Sequence, residues 1–411
     1  MTKKIAIIAC AMALPGEKGY SRFDYLAKML CEKGYKVDLY TSTFNHWEKA
    51  QRDKKSVEDI QKKVLYRIIL AKEPGYKKNV DIRRVISHLM LSNSTVKYLE
   101  QMCKKEKYDL VYCVIPDNAL AAKVSRFGRK NHIPVIIDIE DLWPEGMEMI
   151  FHIPLLSKII FWPFRKYAKQ AYDNASAYVG TSDEFRDVPL KYKADRSKPR
   201  ITVYVGCDIK VFDEGCRKYR NEISKNSNEF WVIYTGTLGS SYDIATLIKS
   251  AQEIKKQGYE NIKFKILGNG PMKEKFLEIA SEEECNIDFL GYIPYEKMAA
   301  YLVKSDVTVN SFVKKAPQSI VNKVGDYLAA GKPMINTLSS PEFREKVRKD
   351  GFGINVEAEN VTDLTKAILK IYREPILAEK YGKNARIIAD SQFDRKNAYL
   401  KILDLISEMT G

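Results

Sequence analysis

The 411-residue chain has no run of about 18 apolar residues, which excludes a helix that crosses a bilayer. Histidine is scarce: His46, His88, His132 and His152 stand far apart, with no His-x-x-x-His pair. A metal site is therefore not expected. Cys10, Cys31, Cys103, Cys113, Cys207, Cys216 and Cys285 form no Cys-x-x-Cys pair and read as reduced thiols of a cytoplasmic protein. The missing Gly-x-Ser-x-Gly elbow removes one route to a serine nucleophile. No zinc-finger, RNA-binding aromatic or basic-zipper pattern occurs, so nucleic acid is not an expected partner. Low-complexity linkers and short repeats are absent too, and the parts of the chain should be closely joined.

What is present is an uneven charge. Lys and Arg number 68 against 53 Asp and Glu, a net +15. Residues 1–200 hold 37 basic and 24 acidic residues, net +13, and the remainder is close to neutral. Such a half-molecule suits an anionic membrane surface or an anionic acceptor. Residues 151–172, FHIPLLSKIIFWPFRKYAKQAY, combine apolar residues at helical spacing with Trp162, Phe164, Arg165, Lys166 and Lys169, a composition that fits an interfacial segment or a core helix with a basic face. The opening Lys4–Cys10 run reads as a first buried strand rather than a secretion signal.

Short β-branched runs alternate with amphipathic stretches along the whole chain. Strands are expected at Lys4–Cys10, Lys36–Tyr40, Leu110–Cys113, Val135–Ile139 and Ala177–Gly180, then at Phe230–Thr235, Lys263–Leu267, Ile287–Phe289, Val307–Asn310 and Met334–Asn336. This rhythm predicts an α/β protein of two doubly wound, Rossmann-like domains facing a cleft, with ligands beyond the carboxyl ends of the strands. Bounds of 1–204 and 205–390 are expected, with 391–411 a final helix.

The most specific stretch is PQSIVNKVGDYLAAGKPMINT, residues 317–337. Ser319, Ile320 and Val321 are expected to open a helix with free N–H groups, Gly331 to end it and Met334 to begin a strand. The segment resembles the nucleotide-binding signature of family 4 glycosyltransferases, with Gln318 and Asp326 where that family has Glu and with the Ala330-Gly331-Lys332-Pro333 ending intact. Other stretches are similar to the same family: VYVGCDIKVF through Gly206, Asp208 and Phe212, ILGNGP at 266–271, and Asp-Leu-Trp-Pro at 141–144, which resembles bacterial enzymes that add amino sugars to polysaccharide precursors.

The resemblance implies a GT-B fold whose last helix crosses back to the first domain. It also implies a retaining, metal-independent hexosyl- or acetylhexosaminyl-transferase with no cofactor. Such an enzyme moves sugar from a nucleoside diphosphate to a lipid-linked saccharide at the inner face of the cell membrane, in capsule or O-antigen type synthesis. Donor contacts would fall to Gly19, Gly236, Gly239, Gly291, Tyr292, Ile293, Ser319, Ile320, Val321, Lys323 and Asp326. Asp326 would take the ribose hydroxyls, and Lys323, with Lys314 and Lys315 as alternates, would replace the family's missing cations after Gly239. Gly19, Arg22, Asp138 and Asp141 would serve the acceptor, and Asp138, Asp141 and Gln318 the chemistry. Two other readings fit the same fold: a nucleotide-sugar 2-epimerase, and a degenerate protein that anchors a partner transferase.

Overall fold

The computed structural model describes residues 2–17, 22–78, 81–148, 159–282, 285–316 and 319–411. It divides into two compact units, residues 1–203 with 399–411, and residues 204–398.

In the first unit, strands β1 (Lys4–Ile8), β2 (Lys36–Ser42), β5 (Arg67–Ala71), β6 (Leu110–Ile115), β7 (Val135–Ile139), β8 (Ala177–Gly180) and β9 (Arg200–Thr202) form a seven-stranded sheet in the order β5-β2-β1-β6-β7-β8-β9. Every pairing is parallel. A small antiparallel pair, β3 (Phe44–Asn45) with β4 (Ala50–Gln51), stands outside it. β1, β6, β7 and β8 are buried along their whole length, which is why they read as largely apolar runs, broken only by Lys4 and Asp138. The sequence missed β5 and β9, edge strands that are only partly buried.

The second unit repeats the plan. β10 (Phe230–Thr235), β11 (Ile262–Leu267), β12 (Ile287–Gly291), β13 (Val307–Asn310), β14 (Met334–Asn336) and β15 (Gly353–Asn355) are ordered β12-β11-β10-β13-β14-β15, all parallel. In both sheets the strand order reverses beside the first strand, at β1/β6 and at β10/β13, and loops diverge there to leave a crevice.

The segment that joins the units is fixed by backbone contacts. Gly206 adopts φ 60°, and a Cβ there would lie 2.1 Å from the Phe393 carbonyl oxygen. Cys207 N–H donates to that same oxygen at 2.9 Å, and the Tyr204 and Phe393 rings stack at 4.5 Å. Asp208 caps the helix Ile209–Tyr219 by accepting from Val211 N–H, and Phe212 is fully buried. At the other end of the chain a π-turn (Ala389–Phe393) and a short helix (Arg395–Ala398) stay with the second unit, so 391–411 is not one helix. Leu400–Thr410 packs in the first unit, where Tyr399 meets Tyr25 edge-on at 5.7 Å.

Three loops at the carboxyl edge of the second sheet touch backbone to backbone. Gly268 has φ 144°, and a Cβ on it would lie 1.8 Å from the Gly236 carbonyl oxygen; one on Gly270 would lie 2.3 Å from that of Leu238. Gly268 N–H donates to Gly291 O at 2.7 Å, and Leu238 N–H to Asn269 O at 3.0 Å. Gly268→Ala should therefore lower stability by about 3 kcal/mol or more. Gly258→Ala, at φ 85° with nothing within 4 Å, should cost only about 1–2 kcal/mol of left-handed strain. Urea unfolding followed by circular dichroism compares the two.

Candidate functional site

At the reversal point of the second sheet, β10 delivers Tyr234 and the loop Gly236–Asp243, and β13 delivers Ser311 and Phe312. Ser311 Oγ donates to the Asp243 carbonyl at 2.7 Å, and Val313 N–H to Ser241 O at 3.1 Å, so the loops hold each other. The helix that follows runs Lys323–Ala329 and starts later than the sequence suggests. Ser319 and Ile320 precede it with both side chains buried, Ile320 within the apolar core, and Val321 packs against that core. These three residues therefore do not open the helix. Tyr327 ties it to the strands: its hydroxyl accepts from Thr235 N–H at 2.8 Å and lies 3.4 Å from Val309 O.

Lys323 is the first residue of this helix, not one turn inside it. Its ammonium nitrogen lies 4.0 Å from the centroid of the Tyr234 ring, 4.3 Å from Tyr242 and 5.5 Å from Phe312. On the remaining side is Gly236, where a Cβ would come within 3.0 Å of Nζ. Nζ is buried and makes no hydrogen bond among the described residues. Two effects oppose each other in this cage. Ring faces favour the cation by about 0.5–2 kcal/mol each, while an ion stripped of water and without an acceptor loses several kcal/mol. Burial wins, and the lysine is held well below its ordinary pKa.

Asp326 follows one turn later in the same helix and accepts from the Tyr295 hydroxyl at 2.7 Å through Oδ1. Burial raises its carboxyl to about 6 against the opposing effects of that bond and of Arg395. Gly239 sits in an open turn, with its nearest neighbours beyond 3.6 Å, whereas Gly236 is wedged between Lys323 and Gly268. Gly291 has φ 69° and its carbonyl is already engaged by Gly268; Tyr292 is 64% exposed and Ile293 half-buried. Lys314 and Lys315 are exposed. Gly19 and Gln318 lie outside the described residues.

In the first unit the expected acceptor residues separate. Arg22 is fully buried: it donates to Glu140 at 2.9 Å, pairs with Asp138 at 3.3 Å and lies over the Tyr399 ring at 5.2 Å. Asp138, also at zero exposure, accepts from the Tyr112 hydroxyl at 2.6 Å. Burial raises its carboxyl and Arg22 lowers it, with burial the larger effect. Both residues thus form a core ion pair instead of presenting charge to a ligand. Asp141 is exposed, accepts its neighbour's Leu142 N–H at 2.9 Å, and its carboxyl is raised to about 6 by desolvation, partly offset by that bond and Arg84.

Sequence spacing also hid a cluster. His46 and His88, isolated in the chain, join Tyr76 and Trp143 in a run of rings: His46–Tyr76 at 5.9 Å, Tyr76–His88 at 5.6 Å and His88–Trp143 at 6.2 Å. Arg84 lies over Trp143 at 5.0 Å and over Tyr76 at 5.5 Å, with Lys49 over Tyr76 at 4.7 Å. Burial, reinforced by these cations, lowers His46 to about 4 and His88 to about 3. His88 is therefore neutral, and its 3.7 Å approach to Asp117 is no ion pair. Among the described residues no group of three or more His, Cys, Asp or Glu is placed to hold a metal.

Two Rossmann-like sheets of this kind define the GT-B class, and the comparisons agree. Residues 216–387 match the family described as glycosyl transferases group 1. A protein of Escherichia coli strain K12 named for colanic acid biosynthesis glycosyl transfer, WcaI, is 22% identical over 198 residues, 47% of this chain and 47% of its own. The chain thus spans about half the length of the curated relative it matches. Sucrose-phosphate synthase of Thermosynechococcus elongatus superposes with a TM-score of 0.74 at 17% identity over 99% of each chain. HepE of Anabaena, solved with UDP, gives 0.70 at 13% identity over 99% of this chain and 100% of its own. WaaG, described as a glycosyltransferase involved in lipopolysaccharide biosynthesis, gives 0.67 at 12% over 98% and 99%. At these identities the likeness to solved structures is one of fold. The chain has the GT-B fold, and its residues 216–387 are similar to the group 1 glycosyl transferases.

The buried pair gives a direct prediction. Asp138→Asn leaves Arg22 with Glu140 as its carboxylate partner and weakens the buried cluster, and should lower stability by about 1–3 kcal/mol in urea unfolding.

Proposed function

We propose that the protein is a retaining glycosyltransferase of cell-surface polysaccharide assembly. It would move a hexosyl or N-acetylhexosaminyl group from a nucleoside diphosphate to a lipid-linked saccharide, without a metal. The observation that carries the reading is the caged Lys323 amine at the crevice of the second sheet. The family match over 216–387 supports it, as do the UDP and UDP-glucose complexes of HepE and the polysaccharide role in the name of WcaI.

In this reading the glycine loops let the donor approach the backbone. The diphosphate meets Nζ of Lys323, and its negative charge returns a proton that burial had removed. Asp326 keeps Oδ2 for a ribose or sugar hydroxyl while Tyr295 holds Oδ1. Gly239, Tyr292 and Ile293 border the same crevice. For the acceptor, the proposal rests on the exposed Asp141, since Arg22 and Asp138 are fully buried. The basic first unit and the exposed Trp162, Ile159 and Ile160 support a peripheral position on an anionic membrane face. No helix among the described residues is long and apolar enough to cross a membrane.

Calorimetry with UDP, GDP and their sugar conjugates tests the reading. One conjugate should bind selectively, and Asp326→Ala should weaken it at least ten-fold. Absence of nucleotide binding would instead favour the anchoring-partner reading, which Gln318 in place of the family's Glu also motivates.

A second prediction concerns protons. The lowered Lys323 pKa means that the free protein carries this lysine neutral above its shifted pKa, and diphosphate binding raises that pKa again. Binding above that shifted pKa should therefore take up as much as about one proton per donor. This appears as a dependence of the binding enthalpy on the ionisation enthalpy of the buffer. Lys323→Met should abolish the uptake and weaken the nucleoside diphosphate more than the nucleoside; equal weakening of both would reject the role.

A further inference from the structure

The amino-terminal edge of the second sheet, opposite the candidate donor crevice, borders a cavity of about 780 Å³. That volume lies within the roughly 300–1,000 Å³ of small-molecule sites. Strand beginnings form one side of it: Phe230 opens β10, Asp306 precedes β13, and Gly331, Lys332 and Pro333 lead into β14. The other side is the helix Pro375–Ile388, whose Pro375, Ala378 and Gly382 recur at helical spacing and leave room because none has a long side chain. Backbone packing fixes the two sides together: a Cβ on Gly382 would lie 2.4 Å from the Gly331 carbonyl oxygen, and Pro333 O accepts from Thr308 N–H at 2.9 Å.

Six charged groups line the cavity, and five of them are engaged. Glu229 accepts from Trp231 Nε1 at 2.7 Å and from Asn226 at 3.0 Å, and Asp306 accepts from Lys225 at 2.5 Å. Glu379 does not stand free, since it pairs with Lys383. Arg386 donates to Asp213 at 2.8 Å and pairs with Asp390 at 3.0 Å. Lys332, half-buried, forms no hydrogen bond or ion pair among the described residues. Burial lowers its pKa; Asp306 opposes this, and Lys225 and Arg220 reinforce it. Three cations and one carboxylate thus act at this point, and that carboxylate already holds Lys225. The balance favours an anion of more than one charge.

Lys332 stands at the Gly382 end of the cavity, its Cα 3.8 Å from the place of a Cβ on Gly382. Pro375 lies about 10 Å further along the helix, at 1.5 Å per residue. Here the lining is Ala378, Ile371 and the Tyr372 ring, which meets Phe230 edge-on at 5.2 Å. The amide of Asn261 is used on the Tyr372 hydroxyl and the Asn228 carbonyl, so this end offers ring and aliphatic surface. A dianion at one end and a ring at the other, with a short polar spacer between them, match a base, a ribose and a single phosphate.

We infer that this cavity binds a nucleoside monophosphate, with its phosphate on Lys332 and its base against Ala378 and the Phe230–Tyr372 pair. The site is separate from the donor crevice and does not rest on the transferase reading.

The test is calorimetry on the full chain with AMP, and with adenosine, inorganic phosphate and glucose 1-phosphate as comparisons. AMP should bind saturably, at least ten-fold tighter than any of the three. Lys332→Gln removes a charge that no neighbour uses, and should reduce AMP to the level of adenosine with the fold intact by circular dichroism. Ala378→Glu, a helix former placed in the first turn of its helix, should weaken AMP at least ten-fold. Lys323→Met, at the opposite edge of the sheet, should leave AMP binding unchanged. AMP bound no tighter than adenosine or glucose 1-phosphate would overturn the inference. So would wild-type affinity in both Lys332→Gln and Ala378→Glu, or loss of AMP in Lys323→Met, which would put the nucleotide in the donor crevice instead.

Discussion

The crevice of the second unit depends on one steric fact: peptide backbones from β10, β11 and β12 meet at distances that no side chain tolerates. The carbonyl of Gly236 occupies the space a Cβ on Gly268 would need, and Leu238 does the same to Gly270. Because the loops close on each other this tightly, Gly236 is held against Lys323 and the amine is sealed between three rings and a backbone. A bulkier residue at any of these points would open the seal and let water reach the lysine. The electrostatics of the candidate donor site therefore follow from packing, not from charges placed nearby.

The first unit uses polar groups in the opposite manner. Arg22 has Asp138, Glu140 and Tyr399 around it, so its charge is met from three directions at zero exposure. Replacing such a pair with apolar residues is often neutral or stabilising, whereas removing one partner is not. The pair locks the first helix to the end of β7, and the loops that follow inherit a fixed starting point.

Much of the fold was legible in the sequence. Parallel strands covered on both faces are continuous β-branched runs, and ten of these announced themselves at Lys4, Lys36, Leu110 and onward. Three of the four edges did not: β9 and β15 are three residues long, and β5 is half-open to water, so none of these carries the signal of burial. At the site, glycine spacing and the Ala330–Pro333 ending were readable, because they constrain backbone locally. The cage around Lys323 was not, since Tyr234, Tyr242 and Phe312 come from separate loops and look like ordinary core aromatics in the chain. Arg22 and Asp138 misled for the same reason: an Arg near a helix start and an Asp at a strand end suggest a ligand until each is seen to be the other's partner. His46 and His88 show the reverse, isolated in sequence and neighbours through Tyr76 in space.

The position of Tyr399 has a consequence for how the chain is made. Synthesis proceeds from the amino terminus, and domains tend to fold as they emerge. The helix Leu400–Thr410 and the ring that covers Arg22 emerge only after residues 204–398, although they belong to the unit that was begun first. On the ribosome the early unit must wait, its arginine uncovered, while the later one is completed. The unit begun before the other is completed after it, and a nascent chain stalled before Tyr399 would expose that flaw to the cell's quality control.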